Sequence, residues 1–296
     1  MLDEQAKYPP IFTARIRGTH SETIHKKDKK EKTTVTDFDI RLDMTHLLVP
    51  NSRTPENLRI QGLRHVFPQD KVHRGYRTKS IGPEDLEPGA DVAIEGYISS
   101  PYPVRHFTLR RQILYHDSSA LEKLLLSLVG STNYRGHFQV SFPISHNRGT
   151  VYSPCWQNRL RDKIWLRWIF YLTFLWIFSW PYLWFVTRRW EVVVTQFPYS
   201  CSPACGNRKF VTKSENDFFE EWRPSLRRAV LGKRQGWIDE EYKLATEDAL
   251  RLAGSSELNR APSTGNAVAD GALGFLQHAV TVGRDVAMAG GWGADS

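Results

Sequence analysis

Nineteen consecutive residues, 168–186, read WIFYLTFLWIFSWPYLWFV without a single charge. A helix rises about 1.5 Å per residue, so this run would reach about 28 Å, close to the ~30 Å hydrocarbon core of a bilayer. Arg159, Arg161, Lys163 and Arg167 precede it, and Arg188 and Arg189 follow. Such cations reach headgroups from the ends of a span. A core helix of a water-soluble domain is rarely apolar on every face over this length. The expectation is an integral membrane protein with one transmembrane helix over 164–187. Trp168, Trp176, Trp180, Pro181, Trp184, Arg167, Arg188 and Arg189 would anchor it.

The four Trp residues of the run lie four or eight apart and would share one helical face. Aromatic side chains ordinarily gather at membrane interfaces, yet Trp176 and Trp180 would lie near the middle of a span. Such a face suits a partner helix or a sterol-like lipid; an aromatic anchor lying tilted or shallow explains it more simply. Arg167-x-x-Phe170-x-Leu172 loosely fits a proposed sterol-contact pattern. Pro181 can kink the helix and free a carbonyl, which Thr173 or Ser179 could help accommodate. Four cations on the N-terminal side against two on the C-terminal side favour a cytosolic N-terminal half. Arg223, Arg227, Arg228, Lys233 and Arg234 make the C-terminal side look equally cytosolic. A re-entrant hairpin bent at Ser179-Trp180-Pro181 would put both halves in the cytosol, but its arms would be unequal, so it ranks second.

The flanks imply an α+β fold: a β-rich N-terminal domain, one aromatic transmembrane helix and a smaller strand-plus-helices C-terminal region. Residues 1–33 read as a disordered basic tail, since the lysine-rich stretch 25–32 has almost no apolar residues. Residues 34–153 read as an α+β domain. Phe38, Ile40, Leu42 and Met44 alternate with polar residues as in a half-buried strand. Residues 91–97, 106–115 and 136–144 are further strand candidates. Ser119-Ala120-Leu121-Glu122 opens a short helix that Gly130 can end. The C-terminal region, 190–254, begins with a β-branched strand at 190–197 and continues with helices over about 215–231 and 239–253. The remainder, 255–296, reads as a flexible tail. If 168–186 spans the membrane, the bilayer separates the strands at 136–152 and 190–197, and they cannot share a sheet.

The net charge is +8, but basicity alone does not identify a partner. The chain contains no Gly-x-x-x-x-Gly-Lys, Gly-x-Gly-x-x-Gly, Gly-x-Ser-x-Gly or His-Glu-x-x-His. No cofactor, metal site or catalytic residue is implied. Cys201 and Cys205 could form a disulfide on a lumenal face or carry acyl chains on a cytosolic one; two thiolates alone do not complete a zinc site. An enzyme acting on lipid or acyl groups would need polar residues such as His106, His116 or His137 beside an acid in one cleft.

Several strings are familiar together: Thr34-Val35-Thr36-Asp37-Phe38-Asp39; Ser131-Thr132-Asn133-Tyr134-Arg135-Gly136-His137; Tyr171-Leu172-Thr173-Phe174-Leu175-Trp176-Ile177-Phe178; and Trp222-Arg223-Pro224. Over about 34–240 the chain resembles a group of uncharacterised filamentous-fungal membrane proteins. The resemblance implies a membrane setting and a fungal source, and supplies no activity. The leading expectation is a non-enzymatic membrane-anchored binding or adaptor protein. The alternatives are a membrane-bound enzyme acting on lipid or acyl substrates, and sterol or lipid binding through the Trp-rich face. The expected partners are the lipid bilayer and either a membrane protein or a second copy of the chain. No specific nucleic-acid binding is expected.

Overall fold

The computed structural model describes residues 2–26, 29–59, 61–67, 69–82, 90–161, 163–201, 208–258 and 291–294. Its helices are α1 (Leu2–Lys7), α2 (Ala90–Ser99), α3 (Ser118–Gly130), α4 (Trp156–Arg161), α5 (Ile164–Leu172), α6 (Trp176–Val186), α7 (Glu215–Leu231) and α8 (Glu240–Leu258). Its strands are β1 (Ile11–Lys26), β2 (Lys29–Asp43), β3 (Gln61–His65), β4 (Arg105–Leu114), β5 (His137–Ser141), β6 (Ile144–Ser145), β7 (Arg148–Tyr152), β8 (Arg188–Pro198) and β9 (Gln235–Ile238). The class is mixed α+β, with parallel and antiparallel pairs in both sheets.

The chain alternates between two compact units, each assembled from three segments. The first comprises Met1–Ile11, Leu47–His116 and Ile144–Thr212. Its sheet has the order β3-β8-β4-β7. Val192, Val193 and Val194 of β8 are all buried. Such a continuous apolar run belongs to an inner strand covered on both faces. Tyr97 of α2 meets the rings of Phe107 and Trp190 edge-on at 5.6 and 5.5 Å. Residues 91–97 are a strand candidate in the sequence. They are helical, since the side chains that pack inward are Ala93, Ile94 and Tyr97, a helical spacing that outweighs β-branched content.

The second unit comprises Phe12–His46, Asp117–Pro143 and Lys213–Ser296. Its strands run β5-β1-β2-β9. Phe38, Ile40 and Leu42 are buried, in agreement with the alternation of β2. Gly18 pairs with Phe38, and a Cβ there would stand 2.3 Å from the Phe38 ring, so the close approach requires glycine. Helix α3 is capped two positions before Ser119, the cap the sequence suggests, with the Asp117 carboxylate accepting from the Ala120 N–H. Helix α7 runs through the exposed Pro224 without ending and buries Phe218, Phe219, Trp222 and Leu226.

Four expected boundaries change. Residues 11–26 of the expected disordered tail are a strand, and β2 begins at Lys29; β1 and β2 pair through to Lys26 and Lys29. The block 34–153 is not one domain, because its segments are divided between the units. The region 190–254 is divided likewise, β8 entering one sheet and β9 the other. In the expected tail 255–296, Trp292 packs 4.6 Å from the Tyr134 ring, and its indole N–H donates to the Thr132 carbonyl. Residues 259–290 lie outside the described residues.

Candidate membrane-contact site

The apolar run is two helices, not one. Helix α5 ends at Thr173, whose hydroxyl donates to the Ile169 carbonyl at 2.6 Å. Phe174 then takes φ 57°, and α6 starts at Trp176. The helices have 9 and 11 residues, about 14 and 17 Å. No helix among the described residues is long and apolar enough to cross a membrane. The expected single helix over 164–187 is therefore corrected to a helical pair. The break falls at 173–175, before the position expected for a hairpin at Ser179-Trp180-Pro181, and leaves arms of similar length.

Both ends of this excursion return to the same end of one sheet. Tyr152 of β7 and Arg189 of β8 pair with the same residue, His106 of β4, from opposite sides. The Ser153 N–H donates to the Arg105 carbonyl, and the Arg188 N–H to the Val104 carbonyl. Entry and exit are thus two strand spacings apart, about 10 Å. A ~30 Å span would place them on opposite sides of a bilayer. Val192 and Val194 do not share a sheet with Phe138 and Val140, but β8 does share one with β4 and β7. Pairing across the apolar run excludes a span.

Between these anchors the helices expose what a globular protein normally covers. Trp168 is 64 % exposed, Leu172 75 %, Phe178 77 % and Trp180 73 %, and α6 buries no residue. Contiguous exposure on this scale marks a membrane or partner surface. The break separates Trp168 on α5 from Trp176, Trp180 and Trp184 on α6, so the four do not share one helix face. Pro181 lies inside α6 and is exposed. A cleft of about 830 Å³ opens beside α4, α5 and α6, with Gln157, Phe170, Trp176 and Trp180 among its lining residues.

Cations surround the foot of the pair. Arg159 and Lys163 are exposed. The Arg188 guanidinium lies 4.1 Å from the centre of the Tyr102 ring, and that of Arg77 lies 5.3 Å from the Phe185 ring. Arg189 follows in β8, where its carbonyl accepts from the Gly75 N–H. Arg167 lies on α5. Trp156 and Gln157, which no sequence motif singled out, belong to the same surface; the aromatic density near the run was their one sequence signal.

The remaining candidates do not assemble. Cys201 is buried, accepts from the Lys209 N–H at 3.1 Å and packs with Leu58 and Val211, which shields it from acylation. Cys205 lies outside the described residues. His106 and His116 belong to the first unit, His106 5.1 Å from the Tyr152 ring and His116 edge-on to Tyr199 at 4.8 Å. Ten positions of largely extended chain, about 33 Å, separate them. His137 is exposed on β5 of the second unit. Among the described residues no group of His, Cys, Asp and Glu could hold a metal ion.

A titratable cluster lies within the second unit's sheet. Asp37 is 5 % exposed and accepts from the Tyr134 hydroxyl at 2.8 Å. His20 stands 2.7 Å from the Asp37 carboxylate and 3.0 Å from that of Glu22, and the Lys233 ammonium lies 3.9 Å from Asp37. The hydrogen bonds to Asp37 and then Glu22 raise the His20 pKa above the usual imidazole value. These groups satisfy one another and brace β1 against β2. No protein-family profile, curated protein or solved structure matches the chain.

Proposed function

We propose that this chain is a membrane-anchored binding or adaptor protein, held on one face of a bilayer by the re-entrant hairpin α5–α6. The observation that carries the proposal is the return of Tyr152 and Arg189 to the same β4 residue around an exposed apolar excursion. Arms of about 14 and 17 Å are about as long as one leaflet of the hydrocarbon core is deep, roughly 15 Å, and far short of the whole. Their Trp and Tyr content suits the interfacial zone, where indole N–H and phenol groups stay hydrated. The flanking cations favour the cytosolic face, with both halves of the chain on that side.

Cysteine accessibility tests this topology on a Cys-free background. Ser145→Cys before the hairpin and Asn216→Cys after it should react equally with an impermeant thiol reagent in vesicles of known orientation. Phe178→Cys should be shielded. Opposite reactivity of the two flanking positions would overturn the hairpin.

A further inference from the structure

Trp292 is held by the second unit through its backbone and its side chain at once. Its N–H donates to the Asn133 carbonyl at 3.2 Å, and the Arg135 N–H donates to the Trp292 carbonyl at 2.8 Å. The two bonds form a parallel bridge between Tyr134 and Trp292, the way an extended peptide joins a free backbone edge. The indole N–H donates to the Thr132 carbonyl at 2.9 Å. Its ring lies 4.6 Å from the Tyr134 ring and 6.0 Å from that of Phe38, with the Lys233 ammonium 5.6 Å away over its face. A Trp gripped by aromatic rings, a cation and a carbonyl is the usual anchor of a recognised segment.

The glycine after it is fitted to the same loop. Gly293 has φ 72°, and a Cβ there would collide with the Tyr134 ring. Gly136 faces it, since a Cβ at Gly136 would stand 2.6 Å from the Gly293 carbonyl oxygen. The loop owes its shape to its own unit. Asn133 takes φ 57°, its N–H donates to the Gly130 carbonyl, and the Thr132 hydroxyl donates to the Val129 carbonyl. The Tyr134 hydroxyl is fixed on Asp37. A preorganised loop and a segment whose one large side chain is Trp292 are separable parts.

We infer that the loop 132–136, with Phe38 and Lys233, is a docking site for a Trp followed by glycine, and that 291–294 is a latch occupying it in cis. A peptide segment of this chemistry on a partner protein binds there when the latch opens. The site belongs to the second unit and the hairpin to the first, so the inference goes beyond the hairpin proposal and does not depend on membrane attachment.

Fluorescence anisotropy of a labelled peptide of sequence 290–296, Gly-Gly-Trp-Gly-Ala-Asp-Ser, tests the site on the full chain in detergent. The Trp292→Ala chain has a vacated slot and should bind the peptide. Wild type should bind it about tenfold more weakly, because a tethered segment competes at an effective concentration of millimolar order. A peptide carrying Trp292→Ala loses a ring contact and a hydrogen bond and should bind the vacated chain about thirtyfold more weakly. A peptide carrying Gly293→Val should fail likewise. In wild type the Arg135 amide should exchange its hydrogen by local opening, at a rate unchanged by low urea. No binding by a Trp292→Ala chain that melts as wild type does, or equal binding of the Trp and Ala peptides, would overturn the site. Equal affinity of wild type and Trp292→Ala would overturn the latch. A variant that no longer melts cooperatively, or an Arg135 amide that exchanges only with global unfolding, would make Trp292 part of the core and overturn both.

Discussion

Phe174 holds a left-handed backbone, φ 57°, at the turn between α5 and α6. That region is ordinarily left to glycine after a helix end, and a bulky residue there costs about 1–2 kcal/mol. The side chain is 65 % exposed, so it recovers little of this from packing within the chain. Phe174→Gly should therefore raise the unfolding free energy in detergent by about 1 kcal/mol; a loss of stability would show that the turn is not strained. A second residue-scale consequence concerns His20. Its pKa is raised in the folded state, first by Asp37 and then by Glu22. The stabilisation from its charge is full below the unfolded imidazole pKa, ~6.5, and is lost as pH rises through the folded value. Tyr134 and Lys233 also face Asp37. Urea unfolding should thus show wild type losing stability as pH rises above the ordinary imidazole range, ~6.5, and His20→Gln losing much less. Equal losses would exclude His20 as the source.

At the scale of elements, much was legible in the sequence. The alternation at Phe38, Ile40 and Leu42 located β2, the β-branched run at 190–197 located β8, and the helix expected over about 215–231 is α7. The hairpin turn was not legible. Thr173, Phe174 and Leu175 contain no Gly or Pro, while Pro181, the residue that looked like a bend, sits inside α6. Apolar length spoke for a span, and only β-pairing far away in sequence decides otherwise. The parallel partnership of β4 with β8 joins residues some eighty positions apart, and no local pattern encodes it. Gln157 was equally hidden, since an isolated Gln beside Trp156 has no signature. The cations around the hairpin carry a further expectation. Arg159 and Lys163 are exposed, and a basic residue near an anionic surface contributes about 1 kcal/mol. Replacing both with Ala should weaken binding to phosphatidylserine-containing vesicles about thirtyfold at low salt, and the deficit should shrink as salt rises. Co-sedimentation across a salt series measures both effects, and a deficit independent of salt would argue against headgroup contact.

The whole molecule is organised by non-local pairing. Both units draw on segments before and after the hairpin, so no cut near the apolar run separates a domain from the rest. A fragment ending at 153 would lack β8, which supplies Val192, Val193, Val194 and Phe197 to the core. The same topology makes the hairpin dispensable for folding. Its ends are fixed beside each other by Ser153 on Arg105 and Arg188 on Val104, and α6 buries no side chain. Asn158 of α4 is the last strong tether before it, donating from its amide to the Ser153 carbonyl at 2.9 Å. Replacing 164–186 with roughly ten Gly and Ser residues, which reach about 17 Å on average, would keep that tether and close the gap. The expected product unfolds cooperatively, stays dispersed without detergent and no longer sediments with vesicles. Circular dichroism melting and co-sedimentation check the two halves of this expectation. Loss of cooperative unfolding would mean that α5 and α6 form part of the core, and retained vesicle binding would move the anchor elsewhere in the chain.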